Sequence, residues 1–293
     1  MKKDTASRTA QYMALFRALE TTLPANKQLF TDEYAHLFLD NGLLYATYLS
    51  KLSFIHNSLV KYINSRAPGT LSSGIARTRY IDDLLENEIN KGIKQVIILG
   101  AGFDTRAQRL GYLKLTAVIE IDHPDTSRYK TEILKSYLGK LPENVRYCTI
   151  NFNSESLDDL ATRQNIDLNQ PTCFIWEGVT NYLPQQAVDK TFGFISHFAT
   201  GSSVIFTYID KHVMDAPQDY IGVNKVKEYL NNSEERWTLG FVPTEMDGYM
   251  KSFNLTLISD KDAVEYRKRY MPERKNILQG YEFYHVALAK ILF

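Results

Sequence analysis

The stretch Val96-Ile-Ile-Leu-Gly-Ala-Gly-Phe-Asp-Thr-Arg106 sets a short apolar run in front of two glycines, an acid and a hydroxyl. A buried strand that ends in such a turn aims backbone N–H groups beyond its carboxyl end. A helix opening just after adds its positive terminus, and together they can receive a nucleoside cofactor. Gly100 and Gly102 supply the first two glycines of G-x-G-x-x-G, but Thr105 stands in the third place, which weakens the case for a dinucleotide pyrophosphate. A second apolar run, Ala117-Val-Ile-Glu-Ile-Asp122, ends in an acid twenty residues after Gly102, where a carboxylate on the next strand can reach ribose hydroxyls. Asp122 is the expected ribose ligand, with Glu120 as second choice. A glycine turn alone is equally a tight strand-to-helix connection.

Other polar groups stand where burial makes them costly. Glu177 closes the apolar run Cys173-Phe-Ile-Trp-Glu177, and a carboxylate leaving a buried strand needs a partner, either an ammonium group or a salt bridge at the strand end. Arg77 could reach a ligand or pair with Asp82 or Asp83 on its own helix, and Arg79, two positions on, faces elsewhere as a supporting ion pair. Asp104 and Thr105 are placed to cap the helix after the turn. Arg106 and Arg109 could face an acceptor or pair with Asp104 and nearby acids. Tyr182 could orient an acceptor or simply pack. His123 and His212 lie near expected strand ends and could serve as a base for a hydroxyl acceptor; a carboxylate would need none. The six histidines show no metal-ligand spacing, so no metal is expected, and no Gly-x-Ser-x-Gly elbow is present.

The elements that must carry these groups follow from periodicity. Residues 1–92 read as a helical cap, with breaks at Pro24, Gly42 and Pro68-Gly69. Its last helix carries Ile81, Leu84, Leu85 and Ile89 at helical spacing, has Arg77 near its start so that it can reach over the sheet edge, and stops at Gly92. Across 93–293, strand-like runs near 95–100, 116–122, 145–152, 172–178 and 202–209 alternate with helices opening near Thr105, Pro124 and Pro184, with Gly139 and Gly201 as stops after the last two. A helical insertion is expected over 211–240, roofing the pocket with the cap. Further strands fall at 255–258 and 281–292, the latter apolar on both faces and therefore inside the sheet. The fold class is α/β, a mostly parallel Rossmann-like sheet in a single domain.

With 44% hydrophobic residues the chain has material for a sizeable core. Thirty-four basic residues balance thirty-four acidic ones, so no overall field draws it to nucleic acid or an anionic membrane, though a local basic patch is compatible with that balance. Cys148 and Cys173 fall in two separate interior strands and read as reduced buried thiols. Without a signal-peptide pattern or a span-length apolar run, the expected address is the cytoplasm.

Taken together, Arg77-Thr-Arg-Tyr-Ile-Asp-Asp83, Leu99-Gly-Ala-Gly-Phe-Asp-Thr-Arg106, Ile119-Glu-Ile-Asp-His-Pro124, Trp176-Glu-Gly-Val-Thr-Asn-Tyr-Leu-Pro184 and Glu282-Phe-Tyr-His-Val-Ala-Leu-Ala289 resemble the leucine carboxyl methyltransferase family. The resemblance is closest to its bacterial branch of S-adenosylmethionine-dependent O-methyltransferases, which includes polyketide tailoring enzymes. It implies a class I methyltransferase fold of seven strands, the last antiparallel beside its predecessor, and S-adenosyl-L-methionine as cofactor. It also implies that Arg77 meets the methionyl carboxylate, Gly100 and Gly102 line its approach, Asp122 holds the ribose and Glu177 faces the ammonium. Where the family has an Asp-Leu pair for adenine, this chain has Asn151-Phe152, an amide and an aromatic ring. The implied activity is methyl transfer to a carboxylate or hydroxyl of a small molecule, with Tyr182 and His212 as candidate catalytic groups. Methylation of a protein C-terminal carboxylate, a nicotinamide-dependent oxidoreductase and a non-catalytic cofactor-binding protein are the alternatives.

Overall fold

Strands β1 (Gln95–Leu99), β2 (Ala117–Asp122), β3 (Val145–Thr149), β4 (Thr172–Trp176), β5 (Ser203–Ile209), β6 (Thr256–Asp262) and β7 (Tyr284–Lys290) form one sheet in the order β3-β2-β1-β4-β5-β7-β6. The structure is a computed structural model that describes residues 8–151, 155–231, 236–273 and 279–292. The first five strands run parallel, whereas β7 lies antiparallel to both β5 and β6. All five residues of β1 and of β4 are buried, as required of central strands covered on both faces.

The helices are α1 (Arg8–Thr21), α2 (Asn41–Leu49), α3 (Ser53–Arg66) and α4 (Thr70–Asn90) before the sheet; α5 (Arg106–Arg109), α6 (Pro124–Leu138), α7 (Leu157–Arg163) and α8 (Gln185–Ser196) between its parallel strands; then α9 (His212–Asp215), α10 (Val223–Asn231), α11 (Met246–Lys251) and α12 (Ala263–Tyr270). One core layer joins α1, α4 and α12 to the face carrying Val96, Ile98, Ile175, Ile205 and Val286. The other joins α7, α8 and α11 to the face carrying Ile97, Phe174, Trp176 and Phe206.

Several expected boundaries shift, each for a local reason. Arg77 lies well inside α4, which begins at Thr70 and packs across β5 and β7, and from there it reaches Glu177 just beyond the end of β4. The helix expected at Thr105 is a single turn, because Leu110 turns to extended backbone. Proline opens α6 at its first helical position, while Pro184 is the residue before α8. Gly139 ends α6 with φ +75°, but α8 already ends at Ser196, and Gly201 belongs to the turn into β5. The last strand begins at Tyr284 because Tyr281 has φ +65° and cannot continue an extended ladder. The insertion is helical through α10; further on, Phe241 forms a parallel bridge with Asp210 at the end of β5.

Candidate cofactor site

The β1 turn is shaped by two left-handed glycines. Gly100 has φ +65° and Gly102 φ +46°, and a Cβ on Gly100 would stand 2.6 Å from Val179 Cγ2. Only a residue without a side chain lets the turn lie this close to the β4 loop. The Gly102 N–H donates to Asp122 Oδ2 at 2.5 Å and the His123 N–H to Asp122 Oδ1 at 2.6 Å, so the carboxylate at the tip of β2 braces the turn. Burial raises the Asp122 pKa above its ordinary value, and the two amides and Lys130 offset this only in part.

Glu177 follows β4 directly. Arg77 Nε donates to Glu177 Oε1 at 2.8 Å, and Arg106 Nη1 to Glu177 Oε2 at 2.8 Å. Burial opposes ionisation of Glu177, but the two guanidinium groups outweigh it and lower its pKa. Arg77 is 5% exposed at its side chain; its guanidinium lies 4.5 Å from the centre of the Tyr284 ring, and its Nη2 points at Met13 Sδ, 3.4 Å away. A thioether is a weak acceptor, readily exchanged for a carboxylate.

Behind this pair runs a chain of buried charges. Arg106 Nε meets Asp82 at 2.7 Å and Arg106 Nη1 meets Asp104 at 2.5 Å, while Arg109 Nη2 meets Asp82 at 2.7 Å. Asp32 accepts from Arg17 Nε at 2.8 Å and from Thr105 Oγ1 at 2.6 Å, and Arg17 Nη2 donates to the Phe103 carbonyl at 2.6 Å. Thus α1 and the loop after it grip the glycine turn itself. Burial would raise the Asp104 pKa, yet Arg106, Lys130 and Arg17 hold it at about 2.

The expected site residues divide accordingly. Arg77, Gly100, Gly102, Asp122 and Glu177 gather at the carboxyl ends of β1, β2 and β4. Asn151 is exposed just after β3, and Phe152 lies outside the described residues. Glu120, the second choice for the ribose, is buried and engaged elsewhere, its carboxylate 2.6 Å from Lys130 Nζ. Arg77 pairs with neither Asp82 nor Asp83; Arg79 takes Asp83 at 2.8 Å. Capping falls to Asp104, which accepts from Arg106 N at 2.8 Å, whereas Thr105 gives its hydroxyl to Asp32. Tyr182 sits half-buried in the turn Thr180–Tyr182 after Glu177, and its electrostatic influence is felt at Tyr281. His212 is exposed and paired with Asp219 at 2.8 Å, while His123 is the N-terminal cap of α6.

Asp32, Arg17 and Tyr281 escaped the motif reading, and Asp82 and Tyr284, though inside quoted motifs, were given no role at the cofactor. Tyr281 stacks on Tyr284 with centroids 5.6 Å apart, and both belong to the surroundings of Arg77. Tyr220 and Trp237 close on Phe283 at 5.5 and 5.3 Å, and Thr238 N donates to Asn181 O at 2.8 Å, so the segment after β5 folds back over the strand ends.

This architecture is that of class I methyltransferases. A DUF574 family protein from Streptomyces avermitilis superposes with a TM-score of 0.59 at 12% identity over 97% of both chains. A "putative methyltransferase" from Thermobifida fusca does so with a TM-score of 0.59 at 17% identity over 96% of this chain and 94% of the other. Residues 10–196 match the leucine carboxyl methyltransferase family, and the chain belongs to it. Among curated relatives, a "Putative S-adenosyl-L-methionine-dependent methyltransferase" from Mycobacteroides abscessus is 32% identical over 201 residues, 67% of this chain and 65% of the relative. One of the same name from Mycobacterium marinum is 38% identical over 143 residues, 48% of this chain and 47% of the relative. The chain therefore spans less than two thirds of these relatives' own length.

Proposed function

We propose that the protein is an S-adenosyl-L-methionine-dependent O-methyltransferase acting on a carboxylate or hydroxyl of a small molecule. The observation that carries this reading is the Arg77–Glu177 pair beside the Gly100–Gly102 turn. A buried guanidinium and a largely buried carboxylate, adjacent and opposite in sign, match the carboxylate and ammonium of an amino acid, and they pair with each other at 2.8 Å. The donor set fits the cofactor: Arg77 for the methionyl carboxylate, with Met13 Sδ yielding its place, Glu177 for the ammonium, the glycine turn for close approach of the nucleoside, and Asp122 for the ribose. Asn151 and Phe152 are assigned to adenine. The relatives' names support the cofactor, and the family name supports oxygen, in the form of a carboxylate, as acceptor.

When bound, the cofactor supplies a methyl group activated on a sulfonium. The protein's share is alignment and exclusion of water, and a near-attack arrangement can lower the barrier by about 7–11 kcal/mol in favourable cases. The cap and the Tyr220–Trp237 roof serve to exclude water. Tyr182 and the Tyr281–Tyr284 stack beside Arg77 are assigned to orient the acceptor oxygen. A carboxylate acceptor needs no base; for a hydroxyl, Tyr182 is better placed than His212, which Asp219 engages at the surface.

Calorimetric titration with S-adenosylmethionine and S-adenosylhomocysteine tests the cofactor, and labelled methyl donor with a panel of aromatic and aliphatic acids and alcohols tests the reaction. Saturable heat with both ligands and label on an acid- or alcohol-derived product are expected. Absence of heat at millimolar ligand, or a response to NADH instead, overturns the reading.

A further inference from the structure

Between Asp40 and Asp82 the sequence contains no acidic residue, although the whole chain carries thirty-four. Within that stretch lie α2 and α3, and both present apolar side chains to solvent. On α2 Tyr45, Tyr48 and Leu49 recur at i, i+3 and i+4, the spacing of one helix face, and they are 70%, 52% and 54% exposed; Leu52, in extended backbone just before α3, is 52% exposed. On the inward side Leu43 packs on the core, while the buried residues of the segment are polar: Thr47 and Ser50, with Ser50 Oγ 3.0 Å from Thr22 Oγ1 of the segment after α1. An apolar stripe is thus turned outward on a helix whose one fully buried residue, Thr47, is polar.

The next helix continues the pattern. No residue of α3 is fully buried; Leu59, Val60 and Ile63 rest on the core while Phe54 and Tyr62 stand 69% and 59% exposed. Three exposed cations frame these side chains. Lys51 Nζ lies 5.8 Å from the Tyr48 ring centre, the Arg66 guanidinium 5.6 Å from that of Tyr62, and Lys61 precedes Tyr62. Among the described residues none of the three forms an ion pair.

Six large apolar side chains on two successive helices and the turn between them exceed the scattered exposure of an ordinary surface and mark an interaction site. The cations decide the occupant. A second copy packed on the same face would set Lys51, Lys61 and Arg66 against their own equivalents with no acid to neutralise them, which like-charge repulsion opposes. A bilayer with anionic headgroups complements both parts: aromatic and leucine side chains enter the interface, tyrosine hydroxyls remain at headgroup level, and the cations meet the negative surface. We propose that α2 and α3 form a peripheral docking surface for an anionic lipid membrane. No helix among the described residues is long and apolar enough to cross a membrane, so the contact is one of surface seating.

The test is co-sedimentation of the full chain with phosphatidylcholine vesicles, with and without phosphatidylserine, beside sedimentation velocity of the protein alone. The parent protein should pellet with the phosphatidylserine vesicles and stay in solution with phosphatidylcholine. Leu52→Ser combined with Phe54→Ser should lower partitioning about tenfold or more through lost apolar burial, and Lys61→Glu about tenfold through the charge. Both variants should melt like the parent, because the altered side chains are exposed. Failure of the parent to pellet, equal binding to both vesicle types, or a dimer that the double substitution dissociates would overturn the proposal.

Discussion

Arg77 Nε and Glu177 Oε1 lie 2.8 Å apart although the residues are separated by 100 positions in sequence. One comes from the helix packed over the sheet and the other from the tip of its central strand, so their meeting depends on the whole core being assembled. Arg106 holds the second oxygen of Glu177. Loss of Arg77 therefore leaves that carboxylate partnered.

Arg77→Ala should accordingly weaken S-adenosylmethionine binding by about 1.5–3 kcal/mol, the value of a hydrogen bond to a charged group. Calorimetric titration of parent and variant reads this directly. Unchanged affinity would remove Arg77 from the binding site.

Arg106→Met has the opposite emphasis. Arg106 meets Asp82, Asp104 and Glu177 at once, and its removal leaves buried carboxylates short of positive charge. Stability should fall by about 3–5 kcal/mol. Urea denaturation checks it, and a loss near zero would mean that Arg77 and Arg109 suffice to neutralise the cluster.

Acid titration should separate two carboxylates at the site. The Asp104 pKa falls from the ordinary 3.8 to about 2 in the folded protein, so its ionised form stabilises the fold above the ordinary value. That contribution drains away as pH falls from 3.8 toward about 2. The stability gap between parent and Asp104→Asn, about 2 kcal/mol at neutral pH, should close over this window. Asp122 shifts upward, so its ionised form is the costly one and stability from this group falls as pH rises through the raised value. Cofactor affinity that depends on its carboxylate should begin to drop, on acidification, at a pH above 3.8. A midpoint below 3.8 would assign the loss to another group.

Gly100→Ala meets two obstacles at once. Its φ of +65° costs an L side chain about 1–2 kcal/mol, and the new Cβ would strike Val179. Combining it with Val179→Ala should recover the steric part and leave the backbone part, which a thermal melt of the single and double variants resolves. Full recovery would show that the turn tolerates side chains.

The part of the site that could be read from the sequence is the part that lies at the ends of apolar runs. Gly100, Gly102, Asp122 and Glu177 each stand where a buried strand stops, and Arg77 stands in a motif recognisable by its neighbours. Five parallel strands and the antiparallel last one follow from the same runs and from the family resemblance. Asp32 and Arg17 could not be read, because they reach the glycine turn from a separate helix and loop by single hydrogen bonds without local periodicity. Tyr281 escaped because apolar alternation continues through it while its backbone turns left-handed, a conformation that residue type alone does not announce. The engagement of Glu120, only a second choice for the ribose, could not be read, because its partner Lys130 ten residues later is brought to it by the fold.

The strand order β5-β7-β6 carries a consequence for biogenesis. A nascent chain that has emerged only as far as β6 offers that strand no neighbour, since Tyr284–Lys290 must first slot between it and β5. Until then both edges are open to wrong pairing, and α12 lacks its packing against β7. On the ribosome the half built on β1 to β4 can mature early, whereas the far half waits for β7 and is the place where chaperone dependence and aggregation should concentrate.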